Sequence, residues 1–159
     1  MDMADKSDWH HDVASPPKDD NEYLERMSRV IFVSGLNWGT VEKKWPGIRR
    51  AFDGFDVALV ADFDDRKLDE LMANADVIRN MPKIKAIVRN AATMQDIAKD
   101  YGSFRKYIDS LVASSSEADL ITKMSKQFAF LGKSTAVIFL LSIGVELTET
   151  TKSWSDQHR

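Results

Sequence analysis

Apolar residues recur at intervals of three or four along most of the chain, and no stretch alternates convincingly as a strand. This period is typical of helices that bury one face. The first helix is predicted to begin at Asp19 or Asp20 and to end near Val33. Its apolar stripe is formed by Tyr23, Leu24, Met27, Val30 and Ile31. Continued along the chain, the pattern predicts an all-α fold of about nine helices.

Proline and glycine mark several predicted helix ends. Pro46 is expected to end a short helix that starts near residue 40, because proline lacks the N–H that a helix interior requires. Pro82 suits the first turn of the longest helix, which Gly102 should end. Further helices are predicted over about residues 48–52 and 117–127, and residues 53–62 are predicted to form a turn and a short helix. Asp64 is predicted to cap a helix that runs to about residue 73, and Ser103 to cap a helix that ends before the serines at 114–116.

Residues 128–144 organise the rest of the chain. They join two helical patterns through a tight turn that we expect to be centred on Gly132. The second pattern, over residues 136–143, is apolar on nearly every face. A helix of that kind is buried, so the other helices are expected to pack around it.

Two interpretations of this turn compete. Gly132, Lys133 and Ser134 match the end of a phosphate-binding P-loop, but Gln127 stands where that loop requires a glycine. The helical pattern before the turn also replaces the strand that a P-loop needs, so a nucleotide site of this type is excluded. The other interpretation is a helix-hairpin-helix that grips a DNA backbone through free N–H groups at the start of the second helix.

Composition narrows the possibilities further. The chain has 159 residues and no cysteine, and its three histidines lie near its ends, so we expect no metal site and no cofactor. The acidic N-terminus and the short apolar runs predict a cytoplasmic protein with no membrane association. We expect a disordered or loosely packed segment over residues 1–18, a helical domain over residues 19–150 and a polar tail over residues 151–159.

The charge of the chain is unevenly distributed, although its net value is only −3. Residues 53–70 hold seven acids and two bases, whereas residues 79–89 and 123–136 hold basic residues and no acid. A third basic group lies over residues 43–50. Basic groups beside a turn that grips phosphate favour a surface that follows a nucleic-acid backbone.

Three motifs in order resemble the DNA-3-methyladenine glycosylase I family. Residues 34–44, which contain Gly35, Leu36, Asn37 and Trp38, resemble the family's "AGLSW…VLKK" region. Residues 75–91 resemble its "AGIIRHRGKIQAIIGNA" stretch, and residues 128–132 resemble its "FKFVG". The resemblance covers about residues 16–147 and implies a helix-hairpin-helix DNA glycosylase fold. Such enzymes flip a damaged base out of duplex DNA and hydrolyse its N-glycosidic bond.

The resemblance also implies roles for individual residues. Gly35 and Leu36 would form the loop tip that fills the gap left by the flipped nucleotide. Trp38 would stack on the base, and Val30 occupies the position of the family's base-contacting glutamate. The second helix of the hairpin would hold one phosphate through Gly132, Lys133, Ser134 and Thr135. The implied partner is double-stranded DNA with a damaged base, bound by a monomer.

Two departures from the family change the expected chemistry. The family's zinc site uses Cys and His residues from both ends of the chain, and this chain has no Cys and places Glu149 near a lost His. The family's pocket glutamate is also missing, because Val30 stands at its position. Glu146 and Glu149 then remain as weak candidates for a catalytic acid.

Three functions therefore remain open at this point. The first is a glycosylase that hydrolyses the N-glycosidic bond of alkylated purines. Lyase activity is not expected, because Ser134 stands where glycosylases with that activity have a nucleophilic lysine. The second is a non-catalytic relative that binds distorted duplex DNA. The third is a helical interaction module unrelated to DNA.

Overall fold

The protein is described by a computed structural model that covers residues 15–35 and 37–157, with side chains as far as residue 153. Within these residues the backbone forms nine α-helices and one short 3-10 helix, with no strand. The predicted all-α class is confirmed. No helix in the described ranges is long and apolar enough to cross a membrane.

The helices follow one another with short connections. They are α1 (Asp20–Val33), α2 (Trp38–Ala51), α3 (Val57–Ala61), α4 (Asp65–Ala73), α5 (Met81–Tyr101), α6 (Phe104–Ser114), α7 (Glu117–Gln127), α8 (Lys133–Ser142) and α9 (Thr148–Gln157), with a 3-10 turn over Asp53–Phe55. The predicted caps at Asp19, Asp64 and Ser103 are confirmed. Each side chain accepts a hydrogen bond from the backbone N–H three residues later, which is the usual N-cap geometry.

The prediction that Pro46 ends a helix is wrong, because α2 continues through it. A proline in a helix interior costs about 3 kcal/mol through the lost hydrogen bond and the ring's clash with the preceding turn. Burial outweighs this cost, since Val41, Trp45 and Ile48 share the face of α2 that enters the core. On the solvent-exposed side of α2, the Lys44 Nζ donates a hydrogen bond to the Ala75 carbonyl at 3.0 Å and so links α2 to the segment after α4.

The other helices do not pack around α8 as expected, because α1 and α5 pack against more of them. Helix α8 is nevertheless buried, as its apolar sequence predicts. It packs against α1 and α7, and Ala136, Phe139 and Leu140 are fully buried. Helix α5 packs against α1, α3 and α6 around the same core. Helices α7 and α8 are therefore part of this core.

Arg26 of α1 ties two distant segments together. Its Nη1 donates to the carbonyls of Ser15 and Ser142, each at 2.5 Å, and its Nη2 pairs with Glu22. One guanidinium thus holds both Ser15, which precedes α1, and Ser142, the last residue of α8.

Glu117 does the same for the C-terminal helix. Its carboxylate accepts hydrogen bonds from the backbone N–H groups of Glu149 and Thr150 at 3.3 and 3.0 Å, and so caps α9 from the start of α7. Burial disfavours the charged form, but these bonds and those from the Thr148 and Thr150 hydroxyls hold the pKa of Glu117 below its ordinary value. Residues 151–157 of the predicted tail continue α9 as a helix.

Candidate functional site

The turn between α7 and α8 differs from the expected one in the residue that makes it tight. Gly132 has φ −60° and ψ 170°, which any residue adopts, and it caps α8 without a side-chain hydrogen bond. The left-handed residue is Phe130, with φ 58°. The turn lies at residues 129–130, so the prediction that it is centred on Gly132 is wrong.

Gly132 faces open space at the start of α8. A Cβ built on this residue meets no heavy atom within 4 Å, so the fold itself does not require a glycine here. The first main-chain bond of the helix joins the Ala136 N–H to the Gly132 carbonyl at 2.7 Å. The N–H groups of Lys133, Ser134 and Thr135 have no acceptor within the helix, because they form its first turn. They leave a positive helix end that can bind an anion.

Asn90 of α5 fixes the hairpin turn from the side of the core. Its Oδ1 accepts from the Ala129 N–H at 2.7 Å, and its Nδ2 donates to the Ala129 carbonyl at 3.0 Å. Asn90 is 1% exposed, so the amide is satisfied by the turn in a buried setting. Sequence patterning did not identify this residue, and its only signal was a polar amide within the buried face of α5.

The basic residues near the turn divide into an exposed and a buried set. Lys123, Lys126 and Lys133 are exposed, and no ion pair in residues 15–35 and 37–157 involves them. Lys83, predicted to belong to a basic surface, is 6% exposed and does not. The other bases of the same predicted group, Arg79, Lys85 and Arg89, are exposed, as are the α7 and α8 lysines.

Lys83 instead closes the C-terminal end of α1. Its Nζ donates to the carbonyls of Phe32 at 3.3 Å and Ser34 at 2.6 Å. Burial lowers the pKa of Lys83. These bonds satisfy carbonyls that lack a partner at a helix end. They also fix the start of the loop that leads to α2.

The same loop is fixed at its other end by Asn37. Its side chain accepts from the Thr40 N–H at 3.2 Å and so caps α2, whose first residue is the half-buried Trp38. Gly35 adopts φ 77°, a left-handed conformation that favours glycine. Leu36 lies outside the described residues, so its role as a wedge stays a prediction.

Val30 is 4% exposed and forms part of the apolar core. The acid closest to it along α1 is Glu25, whose Oε2 accepts from the Trp45 indole N–H at 2.8 Å. Arg49 lies 3.6 Å from the same carboxylate. The Trp45 ring in turn stacks on Phe55 with centroids 5.3 Å apart. Glu25 is thus engaged in holding α2 against α1.

Comparison with known proteins identifies the family. The sequence profile described as methyladenine glycosylase matches residues 4–153. The chain belongs to the methyladenine glycosylase family. It is 28% identical over 157 residues to the DNA-3-methyladenine glycosylase of Haemophilus influenzae, covering 87% of this chain and 85% of that protein. It is 26% identical over 148 residues to DNA-3-methyladenine glycosylase 1 of Escherichia coli, covering 82% and 79%.

Solved structures confirm the glycosylase-like fold. The 3-methyladenine DNA glycosylase I of Staphylococcus aureus aligns with a TM-score of 0.74 at 24% identity, covering 89% of this chain and 87% of that one. A solution structure of a 3-methyladenine DNA glycosylase I aligns with a TM-score of 0.68 at 23% identity, covering 86% and 81%. At these identities the likeness concerns the fold alone.

The residues of this family member do not fit the zinc site that the resemblance implies. The chain has no cysteine, and His10, His11 and His158 lie outside the described residues. Within residues 15–35 and 37–157 no cluster of three or more His, Asp or Glu is placed to hold a metal ion. Glu149, expected near a lost zinc ligand, lies instead in the first turn of the α9 helix that Glu117 caps.

The two candidate acids lie in the C-terminal part of the fold. Glu146 is exposed in the connection between α8 and α9, and Glu149 is exposed in the first turn of α9. Their catalytic role stays a prediction.

Proposed function

We propose that this protein releases alkylated purines such as 3-methyladenine from duplex DNA by flipping the base and hydrolysing its N-glycosidic bond. The observation that carries the proposal is the match to the methyladenine glycosylase family over residues 4–153. The two relatives described above carry the name DNA-3-methyladenine glycosylase. The open N-terminal turn of α8 supports a DNA substrate, since it offers free N–H groups beside exposed lysines.

Two surfaces would divide the work. The hairpin would hold one phosphate through the N–H groups of Lys133, Ser134 and Thr135, and the absence of a Cβ at Gly132 leaves room for it. The loop before α2 would act at the lesion, with Leu36 filling the gap in the duplex and Trp38 stacking on the flipped base. Lys83 and Asn37 would hold this loop in place from its two ends.

Val30 determines the chemistry that remains available. An alkylated purine with a fixed positive charge leaves readily, because its departure neutralises that charge. A tryptophan face stabilises such a cation before release, and exclusion of water strengthens the interaction. Excision would therefore depend on the base being already activated, with no strong protein acid and no covalent lysine intermediate.

Base release from methylated duplex DNA tests the proposal. Wild-type protein should release methylated purine above the spontaneous rate. Trp38→Ala should lower the rate by about tenfold or more through loss of stacking, while Trp38→Phe should retain most of it. No release by the wild type at an enzyme concentration well above that of the DNA would overturn the proposal.

A second candidate is a non-catalytic relative that binds distorted duplex DNA. The burial of Val30 where the family places a glutamate favours it. Duplex binding that weakens with salt, together with no base release, would select this alternative. For either function we propose a monomer acting in the cytoplasm, to be checked by sedimentation and by cell fractionation.

A further inference from the structure

Phe130 combines two unusual properties in the hairpin turn. Its side chain is 49% exposed, although it is a large apolar residue. Its backbone lies at φ 58°, a left-handed conformation that bulky L-residues rarely adopt. Strain of this kind persists only where the surrounding structure enforces it, and it concentrates at functional sites.

The neighbours of Phe130 enforce its position. Phe128 and Leu131 are buried at 3% and 2% exposure, so both ends of the turn are anchored in the core. Asn90 holds both backbone groups of Ala129, the residue directly before Phe130. With the chain fixed on each side, the turn cannot relax by rotating the phenyl ring into the core. The ring is therefore presented to the outside.

The surroundings of the ring match a nucleic-acid backbone. Lys126 and Lys133 lie four residues before and three residues after Phe130, and both are exposed. The open first turn of α8 begins two residues later at Gly132, within about 7 Å along the chain. A DNA strand alternates charged phosphates with the apolar faces of deoxyribose. An apolar ring between lysines and beside free N–H groups complements that alternation.

We propose that Phe130 is a DNA-docking residue that packs against the sugar next to the phosphate held by the first turn of α8. This inference rests on the proposed function, because it names a further contact of the same DNA-binding hairpin. The contact would be independent of sequence and of damage, since every nucleotide presents the same sugar. It would add affinity without adding salt dependence, because no counterion is released when apolar surface is buried.

The test compares Phe130→Asn with the wild type in duplex binding over a series of salt concentrations. Asparagine tolerates the left-handed conformation, so Phe130→Asn should not lower the thermal midpoint of unfolding. It should weaken binding to undamaged and methylated duplex alike, by about tenfold, through the lost apolar contact. The slope of log affinity against log salt should stay unchanged. Lys133→Gln should instead reduce that slope by about one.

Two further variants sharpen the comparison. Phe130→Trp should restore binding, because it keeps a large apolar ring in the turn. Val112→Ala shortens another exposed apolar side chain, on α6, and should bind as the wild type does. In base release, Phe130→Asn should raise KM and leave kcat near the wild-type value, since the contact holds ground state and transition state equally.

The outcomes separate this inference from the proposed function. If Phe130→Asn binds duplex DNA with the same affinity as the wild type, the docking role is overturned and the proposed function still stands. A reduced salt slope for Phe130→Asn would also overturn it, because the residue would then act through the lysines. If the wild type binds no duplex DNA at all, the docking role and the proposed function are both overturned.

Discussion

Asn90 offers a test of how firmly the hairpin turn is held. We expect Asn90→Asp to convert a pH-independent clamp into a pH-dependent one. A protonated carboxyl keeps the pattern of the amide, because its O–H can donate to the Ala129 carbonyl and its other oxygen can accept from the Ala129 N–H. An ionised carboxylate loses the donor and places a charge about 3 Å from a carbonyl oxygen that now has no partner.

The magnitude follows from the burial of the site. At 1% exposure the new carboxyl is strongly disfavoured as an anion, so its pKa in the folded protein is raised. A carboxyl group whose pKa is raised by folding lowers the stability of the protein as the pH rises. The loss begins at the pKa of the unfolded state, about 4, and is complete above the pKa of the folded state. We expect little loss of stability at low pH and a loss of about 3–5 kcal/mol once the group is ionised, as for an unpaired buried charge.

Urea unfolding of wild type, Asn90→Asp and Asn90→Ala between about pH 4 and pH 8 measures this dependence. Asn90→Ala removes both hydrogen bonds and should cost about 2–4 kcal/mol at every pH, which makes it the matched control. Subtracting the wild-type curve removes the titration of all other groups. A constant difference between Asn90→Asp and wild type across this range would refute the reasoning, as would a cost below about 0.5 kcal/mol for Asn90→Ala.

Three other variants test separate elements. Gly132→Ala should leave the unfolding midpoint unchanged and weaken duplex binding by about tenfold, because its Cβ meets only the space proposed for a phosphate; equal binding would argue against that placement. Lys83→Met should speed hydrogen exchange at residues 33–38, while unchanged protection would show that its bonds to the Phe32 and Ser34 carbonyls do not hold the loop. Glu117→Gln should cost about 1 kcal/mol at neutral pH. Because the pKa of Glu117 is lowered, that cost should disappear as the pH falls through the folded pKa; a cost that persists in acid would contradict the capping role.

The parts of the fold that sequence reasoning predicted depend on neighbours along the chain. Asp19 and Ser103 cap their helices through bonds spanning three residues, and the apolar run of α8 signals burial by itself. The prediction from Pro46 is wrong because the burial that keeps α2 helical comes from contacts with other helices. A local rule about proline cannot include that term.

The sequence predicts two helices joined by a tight turn in residues 117–143, and the structure has α7 and α8 there, but the turn is not centred on the predicted residue. Glycine is the residue most typical of a tight turn, so the sequence favours Gly132, whereas the left-handed residue of this turn is Phe130. The residue before Phe130, Ala129, is held by Asn90, which lies 39 positions earlier in the chain. A bond of that span leaves no periodic signal. The same limit applies to Lys83. The charge pattern predicts that it belongs to a basic surface, whereas in the structure it is buried against the C-terminal end of α1.

The position of Val30 links the fold to the proposed range of substrates. An apolar side chain buried at 4% exposure cannot supply a proton or accept one, and Glu25 is occupied by the Trp45 indole. A neutral damaged base needs protonation before it leaves, because its anion is a poor leaving group. A cationic alkylpurine needs none. The enzyme would therefore discriminate by the charge that the lesion already carries, and its proposed substrates would be limited to bases that alkylation has made positive.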